Sequence, residues 1–116
     1  MAFSIVSALV AWLPGEVGVP CYGKVPADRP ESFCDVSRSG GSATVGIDRP
    51  VVAVRCWAGS PAEAEALALE VRDAIAMRAG EIPGVWGARA NSGPYDSTES
   101  TRQPSFQVVF DFTTRF

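Results

Sequence analysis

From Phe106 to Thr114 the chain alternates with period two. Phe106, Val108, Phe110, Phe112 and Thr114 point one way; Gln107, Val109, Asp111, Thr113 and Arg115 point the other. Such alternation specifies a β-strand with one buried face. Its three phenylalanines need a helix or a second sheet laid over them. Residues 60–78 supply that cover. Ser60 suits the N-cap, Pro61 the first helical position, and Glu63 closes a capping box. Ala64, Leu67, Ala68, Val71, Ala74 and Ile75 form one apolar stripe. Glu63, Glu65, Glu70 and Asp73 occupy the remainder, with acid toward the start as the helix dipole favours. Gly80 is the expected stop.

The other elements are shorter. Ile5, Val6, Leu9, Trp12 and Leu13 share one helical face, which predicts a helix over Phe3–Leu13 ended by Pro14-Gly15. Val19–Val25, interrupted by Pro20 and Pro26, can be a short edge strand at most. Phe33–Arg38 reads as a strand, followed by a loop tip at Ser39-Gly40-Gly41-Ser42. Ala43–Ile47 is a candidate second arm of a hairpin there. Val51–Trp57 is a strand with Val52, Val54 and Cys56 on one face. After Ile82-Pro83-Gly84, Val85–Ala90 is a short extended piece. The polar stretch Asn91–Pro104 reads as a long loop, and loops of that length are usually functional or disordered.

The order helix, strands, helix, strands lacks the repeated β-α-β run of a doubly wound sheet. It predicts an α+β fold: a mainly antiparallel four- to five-stranded sheet with two α-helices packed on one face. At 116 residues, with 47% hydrophobic and 20% charged residues, the chain fits one globular domain spanning 1–116. No apolar run reaches the ~20 residues needed to span a bilayer. Phe3–Leu13 lacks the basic flank and cleavage site of an export signal.

Catalytic chemistry finds little purchase. The chain has no histidine, which removes Ser-His-Asp and Cys-His sites and the commonest metal ligand. Cys21, Cys34 and Cys56 have no zinc-site spacing, and their odd count does not suit a disulfide framework. Free buried thiols are the first reading; one disulfide with a spare cysteine is the alternative. Lys24, the only lysine, has no patterned serine partner. The glycines form no phosphate-binding pattern. Neither a catalytic residue, a cofactor site nor a metal site is expected. Net charge is −3 and the arginines are scattered, which argues against a dedicated nucleic-acid binder.

Tryptophans are the remaining question, because they serve both cores and interfaces. Trp12 fits the packed face of the first helix. Trp57 and Trp86 are evenly balanced between core edge and subunit interface.

The run Pro50-Val51-Val52-Ala53-Val54-Arg55-Cys56-Trp57-Ala58-Gly59-Ser60 leads into Ala62-Glu63-Ala64-Glu65-Ala66-Leu67-Ala68. Gly93-Pro94-Tyr95 and Pro104-Ser105-Phe106-Gln107-Val108-Val109-Phe110-Asp111-Phe112 follow. This pattern resembles the tail terminator, or tail completion, proteins of long-tailed bacteriophages and prophages. There, a strand ending in Trp-Ala feeds an Ala/Glu-rich helix, and a Ser-Gly-Pro loop precedes the closing strand. The likeness covers roughly Pro50 to Arg115; Val19–Asp48 departs from the pattern.

The resemblance implies a structural virion protein of the tail or neck, assembled in the host cytoplasm. It would be a homo-oligomeric ring, usually hexameric, that caps the tail tube and joins it to a head-side connector or stopper protein. DNA would pass through the lumen without specific binding, and no membrane is involved. Asn91–Pro104 and an Arg38–Asp48 hairpin are then natural arms toward neighbours. The expected interface residues are Arg38, Asp48, Trp57, Trp86, Tyr95, Arg102, Asp111 and Arg115. Other small connector or minor tail proteins are the near alternative. A small-molecule-binding regulatory domain of the same architecture is the distant one, and an enzyme the least favoured.

Overall fold

The computed structural model describes residues 2–99 and 103–116. In chain order the elements are α1 (Ile5–Val17), β1 (Cys21–Tyr22), β2 (Phe33–Thr44), β3 (Ile47–Trp57), α2 (Pro61–Arg78), a 3-10 turn (Ala79–Glu81), β4 (Val85–Asp96) and β5 (Ser105–Arg115). The strands form one five-stranded sheet in the order β1-β2-β3-β5-β4. All neighbours pair antiparallel except β1 and β2, which run parallel. The predicted α+β class is therefore observed.

Both helices lie on one face of the sheet. Their buried side chains Ile5, Leu9 and Leu13 of α1, and Leu67, Ala68, Val71 and Ile75 of α2, join Val36, Val52, Val54, Val108, Phe110 and Phe112 in a single apolar core. The expected stripe of α2 is buried residue for residue. Its start is capped as anticipated: the Ser60 hydroxyl accepts the Glu63 N–H at 3.2 Å and donates to the Glu63 carboxylate at 2.9 Å. The first bond satisfies one donor that the first turn leaves orphaned; the Glu63 carboxylate closes the pair on the Ser60 hydroxyl and not, as in a full capping box, on its backbone N–H.

Four details differ from the sequence expectation. Helix α1 runs through Pro14-Gly15 and ends at Gly18 (φ 75°), whose N–H reaches the Pro14 carbonyl at 3.0 Å. Proline inside a helix loses its intrahelical N–H donor and crowds the carbonyl four residues earlier, and docking of the helix on the core outweighs that cost. Helix α2 ends at Arg78 as expected, but Gly80 is not a left-handed stop: it lies inside the 3-10 turn, and Ala79 caps the helix in a right-handed conformation.

The third difference is at Ser39-Gly40-Gly41-Ser42, which is not a loop tip. Strand β2 continues through it to Thr44, and the turn lies at Val45-Gly46. Ala43 and Thr44 therefore belong to the first arm of the hairpin, and the second arm is β3, starting at Ile47. A bulge between Arg38 and Gly40 interrupts the β2–β3 ladder. Gly41 (φ 124°) comes so close to β3 that a Cβ would collide with the Arg49 carbonyl. Glycine marks a bulge here, not the turn that its composition suggests.

Finally, Asn91–Asp96 is strand, not loop. It pairs with β5 through Ser92↔Val109, Tyr95↔Gln107 and Asp96↔Phe106, with register irregularities on either side of Ser92. Pairing to the strongest strand overrides the weak β-propensity of Asn, Ser, Gly and Pro.

The hairpin β2–β3 extends beyond the helical layer as an exposed arm: residues 37–46 are all exposed. The molecule accordingly measures 43 × 24 × 23 Å.

Candidate functional site

The sheet's second face carries no helix, and its chemistry is organised by strand register. At one end, Asp35, Arg55, Gln107 and Tyr95 sit side by side across β2, β3, β5 and β4. Arg55 donates to the Asp35 carboxylate from Nε at 3.1 Å and from Nη2 at 3.1 Å. The Trp57 indole N–H donates to the same carboxylate at 2.8 Å. Trp57 stacks on Phe33 with ring centroids 5.6 Å apart, and the guanidiniums of Arg29 and Arg55 each lie 5.0 Å from the Trp57 ring centroid. A buried carboxylate is tolerated when it is paired and hydrogen-bonded in this way.

The expected interface residues separate into distinct places. Trp57 is only 3% exposed, so it belongs to the fold of the chain and not to its surface; the Asp35–Arg55 partnership explains why an indole is buried on the helix-free face. Arg38 and Asp48 meet on the arm, Arg38 donating from Nη1 at 2.8 Å and from Nη2 at 3.0 Å. That contact raises the Arg38 pKa and lowers that of Asp48. The pair is thus intact above the ordinary carboxylate range and is lost as pH falls below it.

Tyr95 and Asp111 both face the open side of the sheet. The Tyr95 hydroxyl accepts from Gln107, and Asp111 accepts from Arg89 and Asn91. Arg115 instead folds over the Phe3 ring at 5.1 Å. Trp86, at a bulge of β4, is 59% exposed. Arg102 lies outside the described residues.

Sequence reasoning missed two arrangements. Arg49 and Arg89, with Ser42, Val51, Asp111 and Thr113, border a shallow hollow of about 360 Å³ on the open face. The two arginines are far apart in sequence, and only the β3–β5–β4 pairing brings them together. The other arrangement is a row of thiols: Cys21 pairs with Cys34, and Cys34 with Cys56, across β1, β2 and β3. All three are buried and free, and the Cys34 and Cys56 sulfurs are 3.7 Å apart.

Hydrogen bonding with Cys34, then burial, pushes the Cys21 thiol far up. For Cys34 the bond to Cys21 acts downward, but contact with Cys56 and burial prevail and raise it. Protonated, enclosed thiols are poor nucleophiles. A thiol-reactive disulfide reagent should therefore label almost none of them in the native chain at neutral pH and all three in denaturant. Rapid native labelling would contradict this packing.

Among the described residues no cluster of three or more His, Cys, Asp or Glu is arranged to hold a metal ion. No described helix is long and apolar enough to cross a membrane. No protein-family model matches the chain, and no curated protein matches it.

Proposed function

We propose that the chain is a structural ring subunit of the tail-terminator type, capping a phage tail tube and joining it to a head-side connector. The observation that carries this reading is the shape of the sheet. One face is closed by helices, the other is open, and a two-stranded arm projects from the body. Self-assembling subunits need surfaces of this kind, complementary between copies and repeated around an axis. The sequence pattern over Pro50–Arg115 points the same way. Exposed Trp86 offers an aromatic anchor outside the core, of the residue type in which interface hot spots are enriched, and Val45 at the tip of the arm and Phe116 are further exposed apolar side chains.

Purified protein should form closed rings, seen as a discrete multimer by size-exclusion light scattering and as annuli in negative stain. Adding it to polymerising tail-tube subunits should cap the tubes. A chain that stays monomeric at high concentration and leaves tube growth unchanged would rule this reading out.

A further inference from the structure

The open face of the sheet has a particular composition. Val51, Ala53 and Val109 form an apolar strip along its middle, adjacent in register across β3 and β5. Ala53 is 9% exposed and the two valines are half-buried, although no helix covers them. At one end of the strip stand Arg49 and Arg89 beside the hollow. The Arg89 side chain is 81% exposed and pairs with the Asp111 carboxylate at 3.2 Å. Arg49 is exposed and, among the described residues, has neither a carboxylate nor an aromatic ring as partner. Every other described arginine has one.

The outer face of α2 is the converse. Ala62, Ala66, Leu69, Asp73 and Ala76 recur at helical spacing along its crest. The three alanines are exposed and Leu69 is half-buried. The charge of Asp73 is already met by Arg72 at 3.0 Å. Glu65 and Glu70 flank the crest, both exposed and both without an ion-pair partner among the described residues. Alanine methyls keep most of the crest low, so a second surface can approach the helix backbone closely. Leu69, midway along, adds one larger apolar contact. The acids on either side would meet arginines at the rim of that surface. An 18-residue helix is about 27 Å long, which matches the 24 Å width of the molecule.

We propose that the open sheet face of one copy receives the outer face of α2 from the next copy, with Glu65 and Glu70 docking against Arg49 and Arg89. The contact rests on the ring reading and names the surfaces that make the ring. It joins two different surfaces, so it repeats head to tail and closes when the rotation allows. The crest of α2, with Leu69 at its centre, seats on Val51, Ala53 and Val109, giving the sheet a helix on both faces. The charges fix the orientation and speed encounter.

Charge exchange tests it. R49E/R89E and E65R/E70R alter only exposed side chains, and circular dichroism should show both folded. Each variant alone should lose assembly, with an apparent dissociation constant raised roughly tenfold or more. Mixed in equal amounts, they should assemble again into an alternating ring, because each interface is then complementary in either its native or its exchanged form. Wild-type rings that survive both exchanges overturn this proposal and leave the ring reading standing. Two variants that dissociate but fail to rescue each other also overturn it. A wild-type chain that never assembles overturns both. If R49E/R89E abolishes retention of a short DNA duplex and leaves assembly untouched, the face serves phosphate, and the proposed contact is wrong.

Discussion

Phe110→Ala is expected to destabilise the chain by about 3–5 kcal/mol. Phe110 is fully buried at the middle of β5, opposite Val52 on β3 and Ala90 on β4. It packs beside Phe112, with ring centroids 6.1 Å apart, beneath the stripe of α2. Truncation removes the apolar contacts of the ring and leaves a cavity that three mutually braced elements cannot close. For a domain of this size each kcal/mol corresponds to roughly 4 °C or more in Tm, so a drop on the order of 12–20 °C should appear in a thermal melt. Phe106→Ala is the control. Phe106 lies in the same row but is only partly buried at the edge of the core, and its loss should cost distinctly less. Equal effects at the two sites would mean that β5 does not insert its centre under α2 as described.

The contrast between those two phenylalanines reflects what a sequence makes legible. Alternation in β5 and the 3.6-residue stripe of α2 are local and strongly periodic, so both elements are readable, including the buried residues and the cap at Ser60. The arm is not, because Gly40-Gly41 has turn composition; its role in passing close to the Arg49 carbonyl exists only once β3 lies alongside. Likewise Asn91–Asp96 looks like loop until β5 supplies its hydrogen bonds. The thiol row and the Arg49–Arg89 hollow depend on register between strands distant in sequence. No spacing rule reaches them. Arg38 and Asp48, near in sequence across one hairpin, can be picked out together and do meet. Trp57 stays balanced between core and surface in the sequence because its partner, Asp35, lies 22 residues away on another strand.

That partnership predicts the second large effect. Asp35→Ala should cost about 3 kcal/mol, toward the lower end of what breaking a buried ion pair costs. Asp35 is 6% exposed and its carboxylate holds both Arg55 and the Trp57 indole N–H. Removing it orphans a buried N–H donor, which alone costs about 1–3 kcal/mol, and leaves a guanidinium without its counter-charge. The Arg55 side chain retains 31% exposure, so water screens part of the second loss. Asp35→Asn separates the two contributions. Its side-chain carbonyl can still accept from Trp57 but cannot neutralise Arg55, and it should fall between wild type and Asp35→Ala. Arg55→Met in the Asp35→Ala background should recover part of the loss, because the uncompensated charge is gone. Tryptophan fluorescence offers a second readout at the indole. A thermal midpoint for Asp35→Ala within about 1–2 °C of wild type, on the order of half a kcal/mol, would show that the carboxylate is not what holds Trp57 and Arg55. Because this cluster sits at the root of the β2–β3 arm, on the same face as Arg49 and Arg89, its loss should also loosen the proposed ring contact. Charge exchange at Arg49, by contrast, should weaken the proposed ring contact while leaving the melting point of the dissociated chain unchanged. The two variants thus distinguish the residues that build the open face from those that the proposed ring contact would use.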